Sequence, residues 1–510
     1  MNEIQTSQVA TTQEAEATES RFDTARRRVG LLLGPAVFLL VLATPFEQLT
    51  PEAHRLAAVT SLVIIFWTTE ALPLPVTALL GPALAVMLQV APVREALAPF
   101  ANPLIFLFIG SFILAQALFV HRVNERIAYG VLSWKFVGAR PTRILVAYGA
   151  LAAFLSAWMS NTATAAMLVP IGLSLIAFME KEGKMPKNYG TALMLMTAYG
   201  CSRGGMATPV GTPPNLIAIG MLSEQLDVRI SFVEWMVIAA PITVVLMVIV
   251  FFYLNWVGQT GVKEVPGADL IITERKTALG PWKRGEVNAL IACGVTVILW
   301  VGPGLLPLLL GREHAVTQAV LSAIPESVAA LTGAVLLFAL PISKTQRTTL
   351  TWKQAAQIDW GTILLFGGGL ALGTMAGSSG LARAVGEGIT SLVPTNEVVT
   401  LTFAAALFTV VLSETMSNTA ATNIAIPIVI SIALAMEVNP MVPAIAAGLA
   451  ASIAVVLPVS TPPNAIVYAS GRVPIIQMVK YGLLMDAVGV VLVPTLVLIM
   501  MQMTGQANLF

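Results

Sequence analysis

Met159-Ser160-Asn161-Thr162-Ala163 interrupts a long apolar run, and the same five residues return as Met416-Ser417-Asn418-Thr419-Ala420. Each copy is followed by Thr-Pro-Pro-Asn, at Thr212 to Asn215 and at Thr461 to Asn464. Asn161 precedes Asn215 by 54 residues and Asn418 precedes Asn464 by 46, so order and approximate spacing both repeat. The match extends outward: Ser156 and Ser413 stand four residues before the motif serines, and Pro170-Ile171 and Pro427-Ile428 close the same segment on the other side. One half of the chain is a copy of the other, and its polar motif is a site built from two halves.

The setting decides how the motifs are read. The chain is 56% hydrophobic and 11% charged, against ~25% charged in ordinary soluble domains, and its apolar runs are long enough to cross a bilayer. This is the composition of an all-α polytopic membrane protein. A net charge of +1 gives no reason to expect nucleic acid as a partner. Cys201 and Cys293 both lie in apolar stretches, which argues against a disulfide framework. The first residues, rich in Thr, Gln, Glu and Ala, read as a disordered tail with no cleavable signal peptide.

Hydropathy predicts eleven spans, at about 30–48, 56–71, 73–91, 101–120, 188–222, 232–256, 285–309, 327–341, 361–378, 440–470 and 479–504. Two further apolar stretches, 142–180 and 396–436, are too long for one helix and carry the Ser-Asn-Thr motif near the middle. Half of such a stretch reaches roughly 27 Å as a helix, short of the ~30 Å hydrocarbon core. Both are therefore expected to be re-entrant helical hairpins with the motif at the tip.

Lys and Arg test the topology, because cytoplasmic loops are enriched in them. With the N-terminus inside and the C-terminus external, 22 of the 28 fall inside and 5 outside (Arg55, Arg94, Arg229, Arg312 and Arg383), with Arg203 in a membrane segment. The first hairpin then enters from the inside and the second from the outside, which makes the two repeats inverted in topology.

Inverted repeats with broken elements meeting near the midplane are the plan of secondary transporters. Pro213-Pro214 and Pro462-Pro463 cannot continue a helix and are expected to leave backbone carbonyls free. Free carbonyls beside Ser, Thr and Asn oxygens suit a hard monovalent cation. The same breaks expose helix N-termini, which favour an anion.

These motifs, with Gly204 to Asn215 (GGMATPVGTPPN) and Leu457 to Val467 (LPVSTPPNAIV), resemble those of the divalent anion:sodium symporter family, the INDY-type dicarboxylate, citrate and sulfate carriers. The likeness covers essentially everything after residue 28. It implies a homodimer in the cell (inner) membrane, with a scaffold domain and a transport domain that moves like an elevator. On that plan 1–28 is the cytoplasmic tail, 29–140 and 285–395 are scaffold, 141–256 and 396–510 are transport domain, and 257–284 is a cytoplasmic loop. The resemblance places one sodium at Ser156, Ser160, Asn161 and Gly211. It places another at Ser413, Met416, Asn418 and Ser460, Met416 offering its carbonyl. A small dicarboxylate anion would meet Ser160, Asn161, Thr162, Ser417, Asn418 and Thr419, with Thr212, Thr461 and Pro462 from the breaks. Sodium is the one cofactor implied, and lipid the other partner. Two positions depart from the family pattern: Ser413 stands where Thr is expected, and Val455 where Phe is.

Other readings compete. A lone Ser-Asn-Thr is a helix cap or an interhelical hydrogen bond, and a lone Thr-Pro-Pro-Asn is a turn; duplication favours a site. Gly367-Gly368-Gly369 and Gly204-Gly205 lack the Lys-Ser/Thr of a phosphate loop and read as close helix packing. A membrane hydrolase, and so an enzyme, is disfavoured: His54, His121 and His314 all fall in expected loops, and no His-Glu-x-x-His occurs. A channel would need a pore ringed by like groups. Arg203 could attract the anion, snorkel or pair. Glu414 could tune cation binding or form a salt bridge, and Asp486 needs an intramembrane partner. Sodium-independent exchange, and citrate, sulfate or arsenite as cargo, stay open.

Overall fold

The computed structural model describes residues 24–505 except 139, 183–184, 259–266, 312, 346 and 391–396. Among the described residues every regular element is a helix and there is no strand. The expected tail ends sooner than residue 28: a helix already runs over 24–43, and 1–23 lie outside the described residues. Helices are what an apolar solvent demands, since each pairs its own peptide groups internally.

Eight helices among the described residues are long and apolar enough to cross a bilayer, or nine if the pair Ala315–Ala323 and Glu326–Ala339, bent by 50°, counts as one. The sequence had suggested eleven spans. Several expected spans exist as helices too short for that count: Leu74–Met87 has 14 residues and Met441–Ala450 has 10, about 21 and 15 Å at the helical rise. Three of the eight, Asn161–Lys181, Val398–Thr415 and Asn418–Ala435, belong to the two motif-bearing stretches. The 257–284 loop also holds a helix, Ala268–Ala278, and His54 sits in the first turn of Pro51–Thr69 rather than in a loop.

Both motif-bearing stretches fold as helix pairs. Pro141–Ser156 packs on Asn161–Lys181, and Val398–Thr415 on Asn418–Ala435. Both Thr-Pro-Pro-Asn segments break a span, giving Tyr189–Met206 with Pro213–Leu226, and Met441–Ala450 with Pro462–Ala469. The first half of each broken span packs against its own hairpin. The second half crosses over: Pro213–Leu226 packs on Asn418–Ala435, and Pro462–Ala469 on Asn161–Lys181. Behind each hairpin stands one long helix, Phe232–Val257 in the first repeat and Ile475–Met503 in the second. The repetition visible in sequence is therefore a repetition of packing.

The remaining helices form the wall the repeats lean on. Trp360–Ser379 packs on Leu74–Met87 and meets both Pro213–Leu226 and Asn418–Ala435. Its glycines make that approach possible, as expected for close packing. A Cβ on Gly368 would lie 2.3 Å from the Ala78 carbonyl oxygen.

Gly204 plays the same part inside the first repeat, where a Cβ would lie 2.3 Å from Ala153 Cα and from its carbonyl oxygen. Gly204→Val is expected to lower the thermal midpoint in detergent, with a loss of ~1–3 kcal/mol or more. Gly377→Ala, which meets nothing within 4 Å, serves as control, and equal midpoints for the two variants would contradict this packing.

Candidate functional site

The two hairpin tips are closed by one device used twice. Ser160 (φ −62°, ψ 141°) and Ser417 (φ −64°, ψ 144°) are N-caps, extended residues whose hydroxyls accept from Ala163 N at 3.2 Å and Ala420 N at 3.3 Å. A serine here pairs one of the orphan N–H groups that begin every helix. The remaining first-turn N–H groups and the helix dipole favour negative charge at each tip. Ser160, Asn161, Ser417, Asn418 and Thr419 are half-buried and Thr162 is exposed, so both tips are open to a solute.

The breaks repeat as faithfully. Thr212 (φ −148°, ψ 143°) and Thr461 (φ −142°, ψ 146°) are extended residues before Pro213 and Pro462, each the first residue of a helix, where the missing N–H of proline is harmless. Thr212 and Thr461 are buried, Pro462 exposed.

Not all the break carbonyls are free, as had been expected. The buried Asn215 amide donates to Thr208 O at 2.7 Å, Gly205 O at 2.9 Å and Met206 O at 3.4 Å. Asn464 donates to Leu457 O at 3.0 Å and Ser460 Oγ at 3.4 Å. The last letter of Thr-Pro-Pro-Asn thus stitches the break shut, a role its duplication hinted at and sequence reasoning missed.

What stays open gathers around the tip asparagines. One end of the Asn161 amide lies 2.5 Å from Ser156 Oγ, 3.2 Å from Cys201 O and 3.3 Å from Gly211 O. That end meets acceptors and a hydroxyl only. With nitrogen inward it faces all three as a donor; with oxygen inward, three oxygens gather round a fourth, a donor set of the kind a hard cation takes. Ser156, Asn161 and Gly211 are brought together as expected, Cys201 O is added, and Ser160 stays at the cap.

In the second copy Ser413 Oγ lies 2.7 Å from both Asn418 Oδ1 and Ala451 O. The hydroxyl has one proton for two acceptors, so lone pairs in this buried cluster remain for a cation. Ala451 O is the added oxygen here. Ser460 turns its hydroxyl to Leu457 O at 2.6 Å, and Met416 occupies the extended turn between the hairpin arms (φ −147°, ψ 177°). Neither makes a side-chain hydrogen bond to Ser413 or Asn418 among those described. The carbonyls of Cys201 and Ala451 carry no residue signature, and sequence could not have named them.

Glu414 and Asp486 sit beside this second copy, whereas Arg203 lies over the Tyr199 ring on its own helix, Tyr189–Met206. Arg203 is 2% exposed, which rules out snorkelling. Glu414 accepts from Val456 N at 2.9 Å and Leu457 N at 3.1 Å, holding the loop that carries Ser460. Asp486 accepts from Val455 N at 3.2 Å, the partner that sequence left unnamed. Cys201 and Cys293 are free thiols, and no group of three His, Cys, Asp or Glu among the described residues could hold a metal ion.

A family model described as the sodium:sulfate symporter transmembrane region matches residues 25–504. The sodium-dependent dicarboxylate transporter SdcS of Staphylococcus aureus strain bovine RF122 / ET3-1 is 31% identical over 480 residues, covering 92% of this chain and 90% of that one. The protein of the same description from strain USA300 gives the same figures. Among solved structures, the YdaH transporter of Alcanivorax borkumensis aligns with a TM-score of 0.54 at 13% identity, over 83% of this chain and 90% of its own. MtrF of Neisseria gonorrhoeae, from a class of antimetabolite efflux pumps, gives 0.54 at 14%, over 80% and 83%. These two are likenesses of fold. The family and these relatives are transporters and not enzymes.

The stitching asparagines make a direct test of the site's construction. Asn215→Ala and Asn464→Ala are each expected to destabilise the protein by ~1–3 kcal/mol, the cost of buried acceptors left unpaired. Asn215 should lose more, since Met206 O keeps Trp235 Nε1 and Thr208 O keeps Gly211 N but Gly205 O has no other donor among the described hydrogen bonds, whereas Leu457 O keeps the Ser460 hydroxyl. Thermal unfolding reads both, and unchanged midpoints would contradict the assignment.

Proposed function

The chain belongs to the sodium:sulfate symporter family, the divalent anion:sodium symporters its motifs resemble, and on that premise we propose that it carries C4-type dicarboxylates such as succinate, malate or fumarate across the cell membrane with sodium. The observation that carries this reading is the matched pair of capped tips beside buried oxygen clusters. The relatives described as sodium-dependent dicarboxylate transporters support both cargo class and coupling ion.

The roles follow from the chemistry of each copy. Sodium binds at Ser156, Asn161, Gly211 and Cys201 O on one side, and at Ser413, Asn418 and Ala451 O on the other, with Ser160, Met416 and Ser460 closing the two sites. The dianion lies between the tips, one carboxylate on Ser160, Asn161 and Thr162, the other on Ser417, Asn418 and Thr419. Thr212, Thr461 and Pro462 border it from the helix N-termini. No arginine needs to touch it, because sodium and the helix ends supply the positive charge. The hairpins enter from opposite sides as inverted repeats, the N-terminus is cytoplasmic and the C-terminus external. Residues 141–256 and 396–510 move as a transport domain against the scaffold of 29–140 and 285–395 in a homodimer. The Trp360–Ser379 face, thinned by glycine, suits such sliding.

Energetics explain the ion. Bringing two negative charges into a negative-inside cell costs about 4.6 kcal/mol per 100 mV. Two sodium ions cancel that charge, and a third would make the step inwardly driven.

Purified protein in proteoliposomes tests this with labelled succinate under an inward sodium gradient, an equal potassium gradient, or preloaded unlabelled succinate. Accumulation driven by sodium is the expected result. Uptake only into preloaded vesicles, indifferent to sodium, would make the protein an exchanger, and transport of citrate or sulfate in place of succinate would overturn the cargo. Asn161→Ala and Asn418→Ala are expected to abolish uptake while leaving the protein folded, with an elution volume near wild type; wild-type rates in both would sink the site assignment. Uptake should also fall as pH drops below the second pKa of succinate, because a monoanion leaves one tip without its carboxylate, and a flat profile would contradict dianion selection.

A further inference from the structure

Three exposed rings, with cations around them, have no part in the cycle proposed above. Trp134, Phe136 and Trp282 are 62%, 67% and 53% exposed. A single exposed apolar side chain needs no explanation; here two of the three are fixed in place by arginines. Arg143 donates to Phe136 O at 3.0 Å and lies 4.8 Å from the centroid of that ring. Arg126 donates to the carbonyls of Leu279, Gly280 and Pro281, pairs with Glu286 at 3.0 Å and lies 4.6 Å from the centroid of Trp282.

The segments that carry the rings form one surface. Lys276 donates to Ser133 Oγ at 2.9 Å, which ties Ala268–Ala278 to the residue before Trp134. Ile272 is buried in the same apolar cluster as Ala128 and Leu132 of Val123–Leu132, and Arg126 of that helix grips the turn leading to Trp282. Around the rings Lys135, Arg275, Lys276, Lys283 and Arg284 are exposed. None of the five makes an ion pair among the described residues. Across 133–136 and 270–284 a single exposed carboxylate, Glu274, opposes them.

We infer that this face binds anionic phospholipid, with Lys135, Arg275, Lys283 and Arg284 meeting the phosphate and Trp134, Phe136 and Trp282 the glycerol and upper acyl chain. Rings of this kind sit at the headgroup level of a bilayer, so they set the depth of the surface and put the neighbouring cations at the height of the phosphates. Clustered cations at that height attract anionic lipid. A soluble anion would be served by the cations alone and leaves the rings without a purpose. The inference needs only that the chain spans a membrane, and is independent of cargo and coupling ion.

Native mass spectrometry of the detergent-purified protein, titrated with phosphatidylglycerol or phosphatidylcholine, tests it. Wild type is expected to retain phosphatidylglycerol in preference. Combined Lys135→Gln, Arg275→Gln and Lys283→Gln should weaken its retention roughly 10-fold or more and leave phosphatidylcholine unchanged, with a wild-type elution volume showing that the variant folds. If it does not fold, Lys135→Gln with Lys283→Gln carries the same expectation. Trp134→Ser should also weaken phosphatidylglycerol, which a site for a soluble anion would not show. Equal retention of the two lipids by wild type, or undiminished phosphatidylglycerol on the charge-neutralised variant, overturns the inference. Displacement of the bound lipid by soluble glycerol phosphate at equal concentration overturns it too, because the site would then be one for a free phosphate.

Discussion

An unpaired peptide group in hydrocarbon costs several kcal/mol, and every non-helical residue of this protein at membrane depth has to answer that constraint. Hairpin tips and helix breaks are where the answer is hardest. Ser160 and Ser417 cap the tips, proline at the first helical position dispenses with a donor, and Asn215 and Asn464 close carbonyls that the breaks would otherwise strand. Once those groups are satisfied, a few oxygens and a few helix-end N–H groups remain, and they are the ones available to ions.

Function on this view is the remainder of a structural solution. The leftover oxygens of Ser156, Asn161, Cys201 and Gly211, and of Ser413, Asn418 and Ala451, are buried apart from those of the half-buried asparagines, and they suit cations. The leftover N–H groups lie at tips open to solute and suit an anion. In the proposed cycle, cation and anion binding share the asparagine of each tip, so neither half is complete without the other. Crossing of the broken spans reinforces this, since the second half of each leans on the opposite hairpin.

Much of this was legible before any coordinates. The duplicated motif located both tips and both breaks, because Ser, Asn and Pro-Pro are conspicuous against apolar surroundings. Phe232–Val257 and Trp360–Ser379 fall within a residue or so of the hydropathy windows 232–256 and 361–378. Backbone ligands escaped, since a carbonyl of Cys201 or Ala451 looks like any other. The partners of Glu414 and Asp486 escaped for another reason: the N–H groups of Val455, Val456 and Leu457 are brought close to them only by the tertiary packing. Ala268–Ala278 was taken as loop because its charges break the apolar pattern.

The central claim is that one dianion site needs cations in both halves. Equilibrium dialysis of labelled succinate against the purified protein, in sodium and in potassium, tests it most directly. Binding in sodium alone, lost in Ser156→Ala and equally in Ser413→Ala, is the predicted result. Binding of equal affinity in potassium, or binding that survives removal of either serine, would contradict the account.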